Sequence, residues 1–147
     1  MIEMQAGFHI KAPAADVWSL VNWGGTERLC GKAYFKTASY STKEPIIGAT
    51  RRHGGAFFGA LDIVEVLLSY DEGRRRYTYG VLDMGDLPAG DYEGAICVTP
   101  AGPNACVLAF SSRFVLAGMS VAEFQKLYDE AEQRMADAVI EVLGCPR

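Results

Sequence analysis

An acidic residue inside an apolar alternating segment is the first place in this sequence to look for chemistry. In LDIVEVLLSY (61–70), residues Ile63, Glu65, Leu67 and Ser69 share one face of a strand, which turns Glu65 toward an apolar interior. Burial disfavours a charged carboxylate, so such a group is expected to rise toward the range useful for general acid or base work. The opposite parity buries Val64, Val66 and Leu68 and leaves Glu65 solvated, and both readings stay open here. His53 shares parity with Arg51 in 49–53 and is a second acid/base candidate, since imidazole titrates near neutral pH; the plainer reading is a bystander. In 105–115 the register is ambiguous by one. If Cys97 lies opposite Cys106 and Tyr92 points inward, Ser111 and Arg113 point inward too, and the other register puts Ser112 there.

Other chemistries are disfavoured. The four cysteines, Cys30, Cys97, Cys106 and Cys145, show no C-x-x-C spacing, and only His9 and His53 could join them, so no metal site is expected. Cys97 and Cys106 flank the turn signal Pro100-Ala101-Gly102-Pro103-Asn104, where a tight hairpin would set them opposite each other; two buried reduced thiols are the favoured reading. No phosphate cradle or nucleophile elbow is visible, and no cofactor is expected. With 14 basic against 18 acidic residues, net -4, the chain is not built to track nucleic-acid phosphates, and Arg74-Arg75-Arg76 reads as a solvated turn cluster. No apolar run approaches the roughly 18 residues that cross a bilayer. The first residues lack the basic and apolar blocks of a secretory signal, so a cytoplasmic location is expected.

The elements that must position these residues follow from periodicity. With 147 residues, 50% of them hydrophobic, the chain fits one domain over 1–147. Ile2, Met4, Ala6, Phe8 and Ile10 alternate with polar or small residues as in a half-buried strand that ends near Ala12. Pro13 opens a short helix that Gly24-Gly25 stops, and a second short helix covers 26–30. Six strands follow, over 34–41, 49–53, 61–70, 76–83, 92–99 and 105–115, with turn residues between nearly all of them. From 120 to 143 the period becomes 3.6, with Val121, Phe124, Leu127, Tyr128, Ala131, Met135, Val139 and Val142 on one face, a Ser120/Glu123 capping box, and Gly144 as a stop. Strand, two short helices, six strands and one long helix make an α+β chain whose antiparallel sheet must cover the helix's apolar stripe. A sheet curved enough to do so tends to leave a cavity.

In this order the chain resembles the helix-grip superfamily of polyketide cyclases and dehydrases, START lipid-transfer domains, birch-pollen-type allergens and plant abscisic-acid receptors, often called SRPBCC. The resemblance rests on Ile10-Lys11-Ala12-Pro13-Ala14-Ala15-Asp16-Val17-Trp18, Gly48-Ala49-Thr50-Arg51, Glu65 leading to Asp71-Glu72, and Arg76-Tyr77-Thr78-Tyr79. It continues through Leu87-Pro88-Ala89-Gly90-Asp91-Tyr92 and Phe110-Ser111-Ser112-Arg113-Phe114 before Gly118. The resemblance implies a seven-stranded curved sheet wrapped around the terminal helix, with an internal cavity gated by loops 54–60 and 85–90. It places Glu65 and Arg51 inside, the latter facing a ligand or salt-bridged to Glu65. Lys36 becomes a ligand contact, or else a surface lysine. Tyr77, Tyr79 and Tyr92 fall on the inner face, with Phe57, Phe58, Phe124 and Tyr128 near the mouth or along the helix. Aromatic walls with phenol tips suit a planar oxygenated ligand.

Two functions then compete. One is a cofactor-independent enzyme acting on an aromatic or polyketide-like substrate by cyclisation, dehydration or a lyase step, with Glu65, Arg51, Tyr92 and His53 carrying it. The other is a carrier or sensor of a small hydrophobic ligand. The partner expected in either case is a small hydrophobic or aromatic molecule, and a homodimer is left open.

Overall fold

Strand parity and turn punctuation build the frame on which the site hangs. The computed structural model describes residues 1–56, 61–85 and 88–147, with Leu61 by its backbone alone. Seven strands, β1 (Ile2–Ile10), β2 (Thr37–Tyr40), β3 (Thr50–Ala56), β4 (Leu61–Asp71), β5 (Arg76–Asp83), β6 (Ala89–Pro100) and β7 (Cys106–Leu116), form one antiparallel sheet in the order β1-β7-β6-β5-β4-β3-β2. The helix α1 (Ala14–Val21) and a 3₁₀ turn (Gly25–Leu29) lead from one edge strand to the other, and the long helix α2 (Val121–Leu143) packs against the inner face. This is the helix-grip arrangement.

Pro13 holds the N-terminal cap of α1, where its missing N–H costs nothing, and Asn22 ends the helix, its Oδ1 accepting the Gly25 N–H at 2.8 Å. Ser120 caps α2: its Oγ accepts the Glu123 N–H at 3.1 Å and donates to Glu123 Oε1 at 2.9 Å. Gly144, at φ 65°, closes the helix in the left-handed conformation. No helix among the described residues is long and apolar enough to cross a membrane.

Of the four register shifts in the ladders of the described residues, two re-aim side chains that matter to the site. In β4, Ile63, Glu65 and Leu67 are buried, but Leu68 is an extra residue between the pairs Leu67/Tyr79 and Ser69/Thr78. Past it the parity flips. Ser69, expected on the inner face, is exposed, and Tyr70 takes the inner position beside Trp18 and Tyr77. In β6 an extra residue falls between Gly90 and Glu93, where Asp91 adopts φ 50°. The ladder then runs with Gly94 opposite Ser112, Ile96 opposite Phe110 and Pro100 opposite Cys106. Cys97 therefore lies opposite Ala109, not Cys106, and the hairpin expected to juxtapose the two thiols is longer than that pairing needs. All four cysteines are free.

Candidate functional site

Arg51 and Glu65 are directly opposed across the β3/β4 ladder, and both point into the interior, each 2% exposed. Arg51 Nε donates to Glu65 Oε1 at 2.6 Å, a short charge-assisted bond, and Nη1 donates to the Trp23 carbonyl at 3.0 Å. Its guanidinium lies 4.5 Å from the centre of the Trp23 ring and 5.4 Å from that of Tyr77. The cation is thus paired, hydrogen-bonded and stacked at once, which offsets the cost of burying it.

His53 sits behind this pair and not at a mouth. It is 1% exposed, stacked face to face on Phe35 at 3.9 Å, with Nε2 3.2 Å from Thr26 Oγ1 and Nδ1 3.9 Å from Glu65 Oε1. Burial, and secondarily the Arg51 charge, hold it well below the usual 6.5, so the ring is neutral at physiological pH. Tyr77 is also committed elsewhere: fully buried between Trp18 and Trp23, it donates to the Val21 carbonyl at 2.7 Å. Burial pushes this phenol up to about 12.

In front of Glu65 the inner face and α2 enclose a small chamber lined by Tyr34, Ile63, Glu65, Tyr79, Val81, Met84, Tyr92, Phe124, Tyr128 and Glu132. Its free volume between the described residues is about 20 Å³, room for about one water. Tyr92 stacks on Phe114 at 5.3 Å and donates its hydroxyl proton to Ser112 Oγ at 2.7 Å. Tyr79 reaches the chamber across Gly94, where a Cβ would overlap the phenol ring; only glycine fits beneath it. Burial pushes Tyr34, Tyr79 and Tyr92 well above the usual phenol value, and Tyr128 above it too, so the walls are neutral donors and acceptors.

The sequence reading missed Glu132. It projects from α2 into the chamber at 8% exposure, and burial, reinforced by the Glu65 charge, pushes its carboxyl up to about 8. Its signal was present: Glu132 lies four residues after Tyr128, eight after Phe124 and three before Met135, inside the helical stripe. Tracing that stripe through apolar residues alone passes over it. Tyr34 was read only as the start of a strand, yet β2 begins at Thr37 and Tyr34 turns inward ahead of it.

Several expected site residues are elsewhere. Lys36 is exposed, its aliphatic stem packed over Gly55, while the neighbouring Phe35 takes the interior. Ser111 and Arg113 lie on the outer face, Arg113 facing Glu93 at 3.4 Å; Ser112, the other register, points inward. The chamber thus gathers Glu65, Tyr79, Tyr92, Phe124 and Tyr128 of the expected set, with Arg51 and His53 one layer behind. Phe57 and Phe58 lie outside the described residues, as do 59–60 and 86–87 of the two expected gate loops. Among the described residues no group of three or more His, Cys, Asp or Glu side chains is placed to hold a metal ion.

Comparison with known proteins agrees with this architecture. The family described as "Polyketide cyclase / dehydrase and lipid transport" matches residues 1–141. XoxI from Bacillus cereus shares 20% identity at a TM-score of 0.76, covering 97% of this chain and 98% of that one. Norcoclaurine synthase from Thalictrum flavum, solved with dopamine and hydroxybenzaldehyde, shares 21% identity at a TM-score of 0.69, covering 97% of this chain and 86% of that one. A Thermobifida fusca protein solved by NMR shares 21% identity at a TM-score of 0.76, covering 96% and 95% respectively. At these identities the likeness shows the fold. No curated protein matches the sequence.

Proposed function

Since the chain belongs to the polyketide cyclase/dehydrase and lipid transport family, we propose that it is a cofactor-independent enzyme moving a proton on a small aromatic or polyketide-like substrate held in the Glu132 chamber. Family membership supports a ligand-binding or cyclase-type role. One observation carries the finer reading: two carboxyl groups face one aromatic-walled space in unlike surroundings, Glu65 matched by Arg51 and Glu132 raised to about 8. Pairs of acids whose environments differ in this way divide the acid and base roles.

Glu132, protonated near neutral pH, gives its proton to a substrate carbonyl oxygen or leaving hydroxyl. Glu65 has one oxygen occupied by Arg51; the other takes a proton from the adjacent carbon, and Arg51 stays beside it as the charge redistributes. The result is an enol, or loss of water where the hydroxyl is β to the carbonyl. Tyr92 and Tyr128 orient the oxygenated end. A ring-sized substrate must displace lining side chains, and unbranched Met84 is the one best able to move.

The test is exchange of the α-protons of 2-tetralone in deuterated buffer, followed by proton NMR. The wild type accelerates exchange, and Glu132→Gln or Glu65→Gln each lowers the rate by about 10²- to 10⁴-fold. The closed Arg51/Glu65 pair also favours a second reading, a carrier in which the two charges only neutralise each other; tetralone bound with no exchange selects it. If tetralone neither binds nor exchanges, both readings fail.

A further inference from the structure

Among the described residues the interior carries one more acid than it has cations. Taking the elements around the chamber in turn, β3 contributes Arg51 and a neutral His53, β4 contributes Glu65, β5 and β6 contribute only the phenols Tyr79 and Tyr92, and the segment before β2 contributes Tyr34. The helix α2 adds Tyr128 and Glu132. Arg51 and Glu65 cancel at 2.6 Å. Glu132 is left, more than nine-tenths buried, without a hydrogen bond or ion pair among the described residues. An ionised carboxyl so placed is costly. Two things can neutralise it, a proton or a cation brought in from outside.

The surroundings of Glu132 suit a cation. Five aromatic rings, Tyr34, Tyr79, Tyr92, Phe124 and Tyr128, line the same space, and the faces of such rings attract positive charge once water is excluded. Tyr128 Oη is buried and makes no hydrogen bond of good geometry among the described residues, Ser112 being near enough only to lower its phenol slightly, and Tyr92 commits its proton to Ser112, leaving its lone pairs as acceptors. Both oxygens keep lone pairs that can accept from an N–H donor. The free volume of about 20 Å³ holds one water-sized group, and an ammonium head is of that size.

We propose that the chamber binds a small organic ammonium ion, a primary amine on an apolar or aromatic body, with Glu132 as its counter-ion, Tyr128 and Tyr92 accepting its N–H groups, and the rings as its walls. This deepens, and rests on, the reading of the chamber as a ligand site. A consequence follows from the state of the empty protein. Because Glu132 is raised to about 8, an amine binding below that pH displaces a proton, and its affinity climbs as pH rises toward 8.

The experiment is calorimetric titration of the full chain with benzylamine, benzyl alcohol and benzoate, which share a ring and differ in charge, at pH 7 in two buffers of unlike ionisation heat. Benzylamine should bind tightest, about 10- to 100-fold above benzyl alcohol, and release close to one proton. Glu132→Gln should abolish both the preference and the proton release, bringing benzylamine down to the level of benzyl alcohol; Tyr128→Phe should weaken benzylamine more than benzyl alcohol. Equal binding of the amine and the alcohol to the wild type overturns the inference and leaves the aromatic-ligand reading standing, as does an amine preference that survives Glu132→Gln. Potassium chloride eliciting the same proton release overturns it in favour of an inorganic cation. If none of the three ring compounds binds, this inference and the proposed function fall together.

Discussion

Replacing Glu132 with glutamine should stabilise the protein, by an amount that depends on pH in a way a surface substitution cannot imitate. Glu132 is 8% exposed and its carboxyl is raised from an ordinary 4.5 to about 8. A group raised in this way gives stability that is fully present below the unfolded value and lost as pH rises through the folded one. Between those limits the folded state binds a proton that the unfolded chain releases, and each pH unit costs about 1.4 kcal/mol. At pH 7 the accumulated cost approaches about 3 kcal/mol, taken as an upper bound because local opening relieves part of it. Glutamine keeps the shape and loses the titration. Urea unfolding of the wild type and Glu132→Gln at pH 4, 5, 6, 7 and 8, followed by tryptophan fluorescence, measures the difference directly. The two proteins should be nearly equal at the acid end, and the variant should gain steadily toward pH 8, where the difference levels off. Parallel stability profiles would refute the reasoning, because they would mean that Glu132 titrates alike in the folded and unfolded chains.

Two further outcomes test the frame around the chamber. Arg51→Met strands the Glu65 carboxylate in the interior and should destabilise by about 3–5 kcal/mol, whereas adding Glu65→Gln should recover part of the loss in a double-mutant cycle; simple additivity in thermal denaturation would show that the two do not form one unit. Gly94→Ala puts a methyl group into the Tyr79 ring and should cost about 1–3 kcal/mol. In a Tyr79→Ala background the same change should be close to neutral, and an undiminished cost there would assign the glycine to backbone conformation instead.

The architecture was legible where turn chemistry and periodicity agreed. The strand Arg76–Asp83 has the bounds read from the sequence, and α2 differs from its expected span only in that Ser120 is the cap. The faces of strands were legible only as far as the first bulge. A period-2 reading has no term for an extra residue, so at Leu68 it turns Ser69 the wrong way. The β6/β7 register failed for a related reason. Assuming that Cys97 opposes Cys106 shortens the hairpin by three positions, an odd number, which exchanges Ser112 for Ser111 and Arg113. Glu132 was hidden by the habit of tracing a core through apolar residues, which discards a buried acid before its helical position is considered.

Glu65 and Glu132 meet for different structural reasons, and this difference explains how two acids can face one chamber. Glu65 is set by local cross-strand pairing: the β3/β4 register puts Arg51 opposite it, and Trp23 fixes Arg51 by both its carbonyl and its ring. Glu132 arrives from the far end of the chain on α2, with Phe124 and Tyr128 on the same stripe buried against the sheet. Its orientation is a property of helix packing and not of any ion pair. The sheet can therefore hold Glu65 next to its cation independently of what occupies the chamber, while Glu132 has no cation among the described residues to answer its charge. That asymmetry, one acid paired within the fold and one without a cation among the described residues, is what distinguishes this interior from an ordinary buried ion pair and what the proposed function rests on.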